Sequence, residues 1–321
     1  MSRFQELSQE FSSCFNKKHF PDQPQTLYGA ASYMLEDGGK RIRPVLCLLG
    51  NELFGRIKPD TWKIAISIEL FHNFTLIHDD IMDKAPLRRG KATVHAKYDE
   101  STALLAGDVM LLQAYEYLIE TDSNHVQTLI RLLNKTGREV CEGQQLDMDF
   151  EKSASISLAQ YLHMIELKTA VFLAASLQMG AVVAGAAQDD QQNIYDFGKN
   201  LGLAFQVQDD WLDTFGNPST FGKQKGGDIM ANKKTFLLVK ALESALPEQK
   251  QELEELLLYT GPDKVDRMTA IYQASGIDQA AQEAKNYYME KAYANLESID
   301  VPAGNKTSLK ELAAYLLERD I

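Results

Sequence analysis

Two aspartate clusters are the residues in this chain whose type and spacing could do chemistry. The stretch "DDIMD" occupies residues 79–83, and "DDWLD" repeats the pattern at 209–213. In a helix, residues four apart share one face and lie about 6 Å apart along the axis. One such cluster is typical of a solvated acidic turn. Two on facing helices would form an all-oxygen site that suits Mg²⁺, which takes one or two carboxylates, waters and phosphate oxygens.

Basic residues flank both clusters in loops that contain glycine. They occur in "LRRGK" (87–91), in "GKQKGGDIMANKKT" (222–235) and in the earlier turn "GGKRIRP" (38–44). Glycine lets a ligand approach the backbone closely, so an anion is expected between these loops. An anion held by Mg²⁺ on one side and by Arg or Lys on the other is most simply a diphosphate.

His72 and several apolar side chains occupy the same helices as the aspartates. His72 lies two turns before Asp79 on one face, although a lone histidine there is also typical of a structural residue. Phe71, Phe74 and Phe205 are equally compatible with an ordinary core. If such residues line a slot instead, the ligand carries a long apolar tail, which describes a prenyl diphosphate.

The aspartate clusters are expected at the C-terminal ends of two long amphipathic helices. Apolar residues recur at helical spacing from about Thr61 to Asp83 and from about Gln191 to Thr214. Most other segments between Pro and Gly breaks show the same spacing, and no hairpin pattern of strict alternation is evident. We therefore predict an all-α chain of about a dozen helices in one domain, residues 1–321.

Composition excludes several other classes of function. A formal net charge of -12 argues against nucleic acid or an anionic membrane as partner. Three separated cysteines predict reduced thiols in a cytoplasmic protein, and no secretory signal is visible. The apolar stretch 169–187 contains Gln178 and is rich in Ala and Gly, so we predict a buried core helix and no transmembrane segment.

With these motifs in view, the sequence resembles the trans-isoprenyl diphosphate synthases. The resemblance extends from about Gly38 to Thr235 and rests on "GGKRIRP", "DDIMD" with "LRRGK", "GDVMLLQAYEYL", "EGQQLDM", "ELKTA", "FQVQDDWLD" and "GKQKGGDI". It implies a single-domain helical bundle around a deep central cavity, the isoprenoid synthase type I fold, usually as a homodimer. It also implies a Mg²⁺-dependent short-chain prenyltransferase that condenses isopentenyl diphosphate with allylic diphosphates.

The resemblance assigns roles to individual residues. Asp79, Asp83 and Asp209 would ligate Mg²⁺, and Asp80, Asp210 and Asp213 would be further ligands or would support them. The allylic diphosphate would contact Arg88, Lys168, Lys223 and Lys233, with Thr169 and Gln206 near its reacting carbon. Isopentenyl diphosphate would contact Lys40, Arg43, His72 and Arg89.

Product length is expected to depend on Phe74 and Thr75, five and four residues before Asp79. Helix geometry places Thr75 about 6 Å below Asp79. An aromatic residue at the deeper position with a small one above it resembles synthases that stop at geranylgeranyl diphosphate. We predict that product, with farnesyl diphosphate second.

Two other functions are considered. A class I terpene cyclase or head-to-head synthase would share the bundle and the first motif, but such enzymes usually carry a different second metal motif. A non-catalytic subunit of a heteromeric synthase typically lacks one aspartate motif, whereas both are intact in this chain.

Overall fold

The computed structural model describes residues 2–36, 38–216 and 226–317, and this part of the chain is almost entirely helical. The all-α prediction is confirmed. The first half contains α1 (Arg3–Phe15), α2 (Gln25–Leu35), α3 (Ile42–Glu52), α4 (Pro59–Met82), α5 (Val94–Lys97), α6 (Glu100–Ile119) and α7 (Ser123–Lys152). The second half contains α8 (Leu158–Ile165), a π-helix (Glu166–Ala170), α9 (Val171–Ala184), α10 (Gln188–Phe215), α11 (Gly227–Met230), α12 (Phe236–Ser244), α13 (Pro247–Leu258), α14 (Lys264–Ala274), α15 (Ile277–Glu297), a 3₁₀ turn (Ala303–Lys306) and α16 (Thr307–Leu317).

Helix α4 forms where the apolar spacing predicted it and carries the first aspartate motif at its end. Pro59 occupies the first helical turn, where its missing N–H costs nothing and its fixed φ favours the helix. Ile64, Ile68 and Ile77 are buried along its length. The helix ends at Met82, so the motif occupies its last turn, where the macrodipole disfavours negative charge without a counter-ion.

A two-residue hairpin follows α4 and was not predicted from the sequence. Strands β1 (Leu87–Arg88) and β2 (Lys91–Ala92) pair antiparallel. The turn residues Arg89 and Gly90 have φ values of 51° and 81°, the left-handed geometry that two-residue hairpins favour. Arg88 therefore lies within the ribbon, and Arg89 lies at its tip.

The chain divides into two compact units. Unit 1 comprises Met1–Lys135, Ala175–Gln192 and Val301–Ser308; unit 2 comprises Thr136–Ala174, Asn193–Asp300 and Leu309–Ile321. In unit 1, α4 packs most extensively against α6 and also contacts α3. In unit 2, one apolar core joins residues of α8, α10 and α12 to α15, with Tyr161, Phe236 and Tyr272 among its largest buried side chains.

The apolar stretch predicted as a core helix, residues 169–187, begins in the π-helix and continues through α9. The helical run that contains most of it, Leu158–Ala184, could cross a membrane by length and composition, but 78% of its apolar window is buried inside the protein. A helix buried to this extent belongs to the core, as predicted from the sequence.

Candidate active site

The second aspartate of the first motif is held by the hairpin that follows α4. Asp80 is buried, and both of its oxygens accept hydrogen bonds from Arg88, from Nε and Nη2, each at 2.8 Å. This paired geometry is the strongest that an arginine and a carboxylate form. Asp79 is half-buried and Asp83 is exposed. Asp80 thus fixes the hairpin arginine.

The turn before α3 is fixed by a buried ion pair that the sequence analysis missed. Arg41 has a left-handed backbone (φ 53°) and pairs with Glu69 of α4, and both side chains are 5% exposed. Asn73 Nδ2 also donates to Glu69 Oε1, at 3.3 Å. The guanidinium of Arg41 lies 4.8 Å from the centre of the Phe15 ring. These contacts anchor the backbone from which Lys40 and Arg43 project.

The residues predicted to hold isopentenyl diphosphate are partly brought together in unit 1. Arg43 Nη1 donates to His72 Nε2 at 3.2 Å. Burial, and then the neighbouring arginines, lower the pKa of His72 well below its ordinary value, so the ring is neutral and can accept. Arg89 Nη1 donates to the carbonyl of Gly38 at 3.1 Å, and Lys40 is exposed in the same turn.

The second aspartate motif, in unit 2, also contains a buried second carboxylate. Asp210 is buried and accepts from the Tyr161 hydroxyl, from the Phe236 amide (2.7 Å) and from Gln206 (3.4 Å). Burial raises the pKa of Asp210 to about 7, because desolvation outweighs these hydrogen bonds. Asp210 therefore fixes the start of α12 and does not face solvent.

The other two aspartates of this motif, Asp209 and Asp213, lie on either side of Asp210 in the sequence. Asp213 is buried and accepts from the Asp228 amide at 3.0 Å, which fixes the short helix α11. Asp209 is half-buried. Lys233 pairs with Asp228 at 3.2 Å, and although burial alone would lower the pKa of Lys233, the charge and hydrogen bond of Asp228 raise it.

A cavity of about 240 Å³ lies within unit 2 beside the second motif. Its walls include Asp209 and Asp210 of α10, and Lys168 and Thr169 of the π-helix. The complete lining is Asp147, Glu151, Tyr161, Met164, Ile165, Lys168, Thr169, Gln206, Asp209, Asp210, Asp228, Lys233, Lys234 and Thr235. Six predicted site residues therefore line one cavity, whose walls carry both acidic and basic side chains.

Asp147, Asp228 and Tyr161 belong to this cavity although no role was predicted for them. Lys168 Nζ donates to Asp147 at 2.6 Å, so Asp147 orients the lysine. Asp147 lies in "EGQQLDM" and Asp228 in "GKQKGGDI", two motifs that carried the resemblance, which is where they could have been found. Tyr161 has no such motif and is identified only by its contact with Asp210. Lys223, predicted to contact the allylic diphosphate, lies outside the described residues.

The two motifs supply the carboxylate oxygens that Mg²⁺ prefers. Within residues 2–36, 38–216 and 226–317, no group of three or more acidic, His or Cys side chains is arranged to bind a metal by itself. Mg²⁺ rarely needs such a group, since it keeps waters and uses one or two carboxylates together with phosphate oxygens. Asp79, Asp83 and Asp209 carry carboxylates of this kind, and Asp80, Asp210 and Asp213 accept hydrogen bonds from protein donors.

Comparison with known proteins finds relatives that match most of the chain. The polyprenyl synthetase family profile matches residues 24–275. The geranylgeranyl pyrophosphate synthase of Geoglobus acetivorans is 38% identical, with 93% of this chain and 92% of that protein covered. The geranylfarnesyl diphosphate synthase of Natronomonas pharaonis is 35% identical, with 92% and 91% covered.

Solved structures are similar over the whole chain. A geranylgeranyl pyrophosphate synthase superposes with a TM-score of 0.93 at 41% identity and covers 100% of both chains. The Corynebacterium glutamicum enzyme, solved with isoprenyl diphosphate and magnesium, has a TM-score of 0.85 at 27% identity and covers 99% of both. The all-α fold and the two aspartate motifs define a prenyl-transferring enzyme. This chain belongs to the polyprenyl synthetase family and is a short-chain prenyltransferase.

Proposed function

We propose that the chain condenses isopentenyl diphosphate with allylic diphosphates and releases geranylgeranyl diphosphate as its main product, with farnesyl diphosphate second. The observation that carries the proposal is that the second carboxylate of each motif is fixed by protein donors beside cationic side chains. Asp80 is held by Arg88, and Asp210 lies in a cavity that Lys168 and Lys233 also line. The names of the relatives support the product class.

Mg²⁺ is the proposed metal, with Asp79, Asp83 and Asp209 as its protein ligands. When bound, the ion supplies positive charge that neutralises a departing diphosphate. Asp80 and Asp210 keep the neighbouring carboxylates oriented, since their own oxygens are held by Arg88 and by the start of α12.

Lys168, Lys233, Arg88 and Lys223 are proposed to hold the allylic diphosphate. The first two line the unit 2 cavity, where charge-assisted contacts to phosphate oxygens are strong. Diphosphate leaves with the bonding electrons, and the allylic fragment becomes a cation. Thr169 and Gln206 line the same cavity, where their oxygen dipoles would stabilise the positive charge without a covalent bond.

Lys40, Arg43, His72 and Arg89 are proposed to hold isopentenyl diphosphate. The neutral ring of His72 accepts from Arg43, which orients the guanidinium. The double bond of this substrate attacks the allylic cation and forms the new carbon–carbon bond. A proton then leaves the adjacent carbon to departed diphosphate, or to a nearby backbone or side-chain oxygen, and the product retains one diphosphate.

Phe74 and Thr75 are proposed to limit product length. The Phe74 ring packs edge-on against Phe71 (5.5 Å between centroids) and against His78 (4.8 Å). The Thr75 hydroxyl donates to the carbonyl of His72 at 2.8 Å, so its polar group is satisfied within the helix. A fixed aromatic ring lies here beside a small side chain whose hydroxyl is already hydrogen-bonded. This pair suits the closed end of the slot for the prenyl tail, where a packed wall would stop elongation of the product at a set length.

We further propose that the protein is a cytoplasmic homodimer in which the exposed apolar face of α6 meets its copy. Leu104, Leu105, Leu112 and Ile119 are between 48% and 65% exposed on this one helix. A contiguous apolar face of this kind typically marks an interface. Light scattering should give about twice the 36.0 kDa chain mass. Leu112→Glu should reduce it to one chain, whereas Leu258→Glu, at a separate exposed leucine, should leave the dimer intact.

The function is tested with the purified chain alone. The protein is incubated with Mg²⁺, isopentenyl diphosphate and dimethylallyl, geranyl or farnesyl diphosphate in turn, with each substrate omitted in controls. Condensation that requires both diphosphates and ceases in EDTA supports the proposal. Turnover of an allylic diphosphate without isopentenyl diphosphate would indicate a cyclase, and inactivity of the chain with every starter would indicate a subunit that needs a partner.

A further inference from the structure

The segment that carries Lys168 and Thr169 is a π-helix rather than an α-helix. It covers Glu166–Ala170, between α8 and α9. A π-turn contains one extra residue, so it redirects the side chains on it and is less favourable than the α-helix around it. The neighbouring structure must therefore stabilise this turn.

Two glycines contact the π-helix closely, one from each neighbouring helix. A Cβ atom on Gly143 of α7 would lie 2.3 Å from the Lys168 backbone nitrogen. A Cβ atom on Gly202 of α10 would lie 2.7 Å from the Ala170 Cα atom. Real side chains do not tolerate these distances, so any larger residue at either position must move backbone. The π-helix is thus packed between two glycine contacts.

Each glycine lies one helical turn before a polar residue of the cavity. Asp147 follows Gly143 by four residues and Gln206 follows Gly202 by four, so each pair shares one helix face. Asp147 accepts from Lys168 at 2.6 Å, and Gln206 lines the cavity together with Thr169. The separation of α7 and α10 from the π-helix therefore sets the distances within the cavity.

We propose that Gly143 and Gly202 are positioning residues that hold Lys168 and Thr169 at the required distances from Asp147 and Gln206. This inference rests on the proposed function, in which Lys168 and Thr169 contact the allylic substrate. A shift of about 1 Å in such a group can lower a rate by about 100-fold. The close contacts of Gly143 and Gly202 with the π-helix thus contribute to the specificity of the cavity for the allylic diphosphate.

The test compares Gly143→Ala and Gly202→Ala with Gly29→Ala. Gly29 is the matched control because it is also helical and its added Cβ would meet nothing closer than 3.9 Å. Gly143→Ala and Gly202→Ala should each lower kcat/KM for the allylic diphosphate at least tenfold and raise its KM. KM for isopentenyl diphosphate should stay within twofold. Partial unfolding would lower the apparent kcat and leave the KM of each substrate unchanged, so it cannot produce this pattern.

A double-mutant cycle tests whether Gly143 acts through Lys168. In a Lys168→Ala background, Gly143→Ala should have at most a threefold further effect, whereas Gly29→Ala should remain neutral in both backgrounds. Parental kinetics in both glycine variants would overturn the inference. Loss of helical circular dichroism in both would also overturn it, because the glycines would then serve the fold. An inactive parent would instead refute the proposed function.

Discussion

Replacing Glu69 by Gln should destabilise the protein and weaken one of its two substrate sites. The change keeps the shape and one acceptor oxygen but removes the negative charge that Arg41 faces. Both side chains are 5% exposed, so solvent cannot replace that charge. Removing one partner of a buried ion pair typically costs about 3–5 kcal/mol, because the other charge is left uncompensated.

The same change should act on the turn that holds Lys40 and Arg43. Arg41 keeps a left-handed backbone there, a conformation that a residue with a side chain adopts at a cost and that its contacts must maintain. Without the charge of Glu69, the turn should lose its fixed geometry. KM for isopentenyl diphosphate should then rise about tenfold, which corresponds to about 1.4 kcal/mol. KM for the allylic substrate should stay within twofold.

Urea unfolding and steady-state kinetics measure the two effects. Glu52→Gln is the matched control, since Glu52 also pairs with an arginine, Arg3, but the two side chains are about one-third exposed. That surface pair should contribute no more than about 1 kcal/mol. If Glu69→Gln unfolds at the same urea concentration as the control and leaves both KM values unchanged, the anchoring role of Arg41 is refuted.

Three further predictions follow from the site. Asp83→Ala should lower turnover at least 100-fold with unchanged helical circular dichroism, and near-parental product formation would contradict its role as metal ligand. Thr75→Phe should shorten the product and Phe74→Ala should lengthen it, as read by mass spectrometry, since an added ring fills space that a packed wall does not yield. Folding raises the pKa of Asp210 to about 7. Without Mg²⁺, the folded state then binds a proton that the unfolded state releases above about pH 4, so stability should fall by roughly 4 kcal/mol between pH 4 and pH 7. Thermal unfolding across this range should show that slope in the parent and not in Asp210→Asn.

The helices that carry the two motifs could be predicted from the sequence, because local spacing determines them. Apolar residues at helical intervals placed α4 and α10 within three residues of their observed ends. The roles of individual carboxylates could not be distinguished in this way. Asp79 and Asp80 are chemically identical, and the contact of Asp80 with Arg88 depends on the hairpin, which the apolar spacing does not predict.

Two other features depend on tertiary contacts that a single sequence does not contain. Arg41 looked like part of a basic run, and its partner Glu69 is 28 residues away on an apolar helix. The segment "ELKTA" has the composition of an ordinary helical turn, and its π geometry accompanies close contacts with Gly143 and Gly202. In both cases burial against distant residues, rather than residue type, determines the role of Arg41 and the backbone geometry of Glu166–Ala170.

The mass of the product formed by the parent protein is the measurement on which the proposed function depends most. The purified chain is given geranyl diphosphate, Mg²⁺ and isopentenyl diphosphate labelled with ¹³C at every carbon, and the products are analysed intact. We expect geranylgeranyl diphosphate that carries two labelled five-carbon units and retains its diphosphate. A cyclic hydrocarbon without diphosphate, or geranyl diphosphate recovered without any labelled unit, would refute the proposed function.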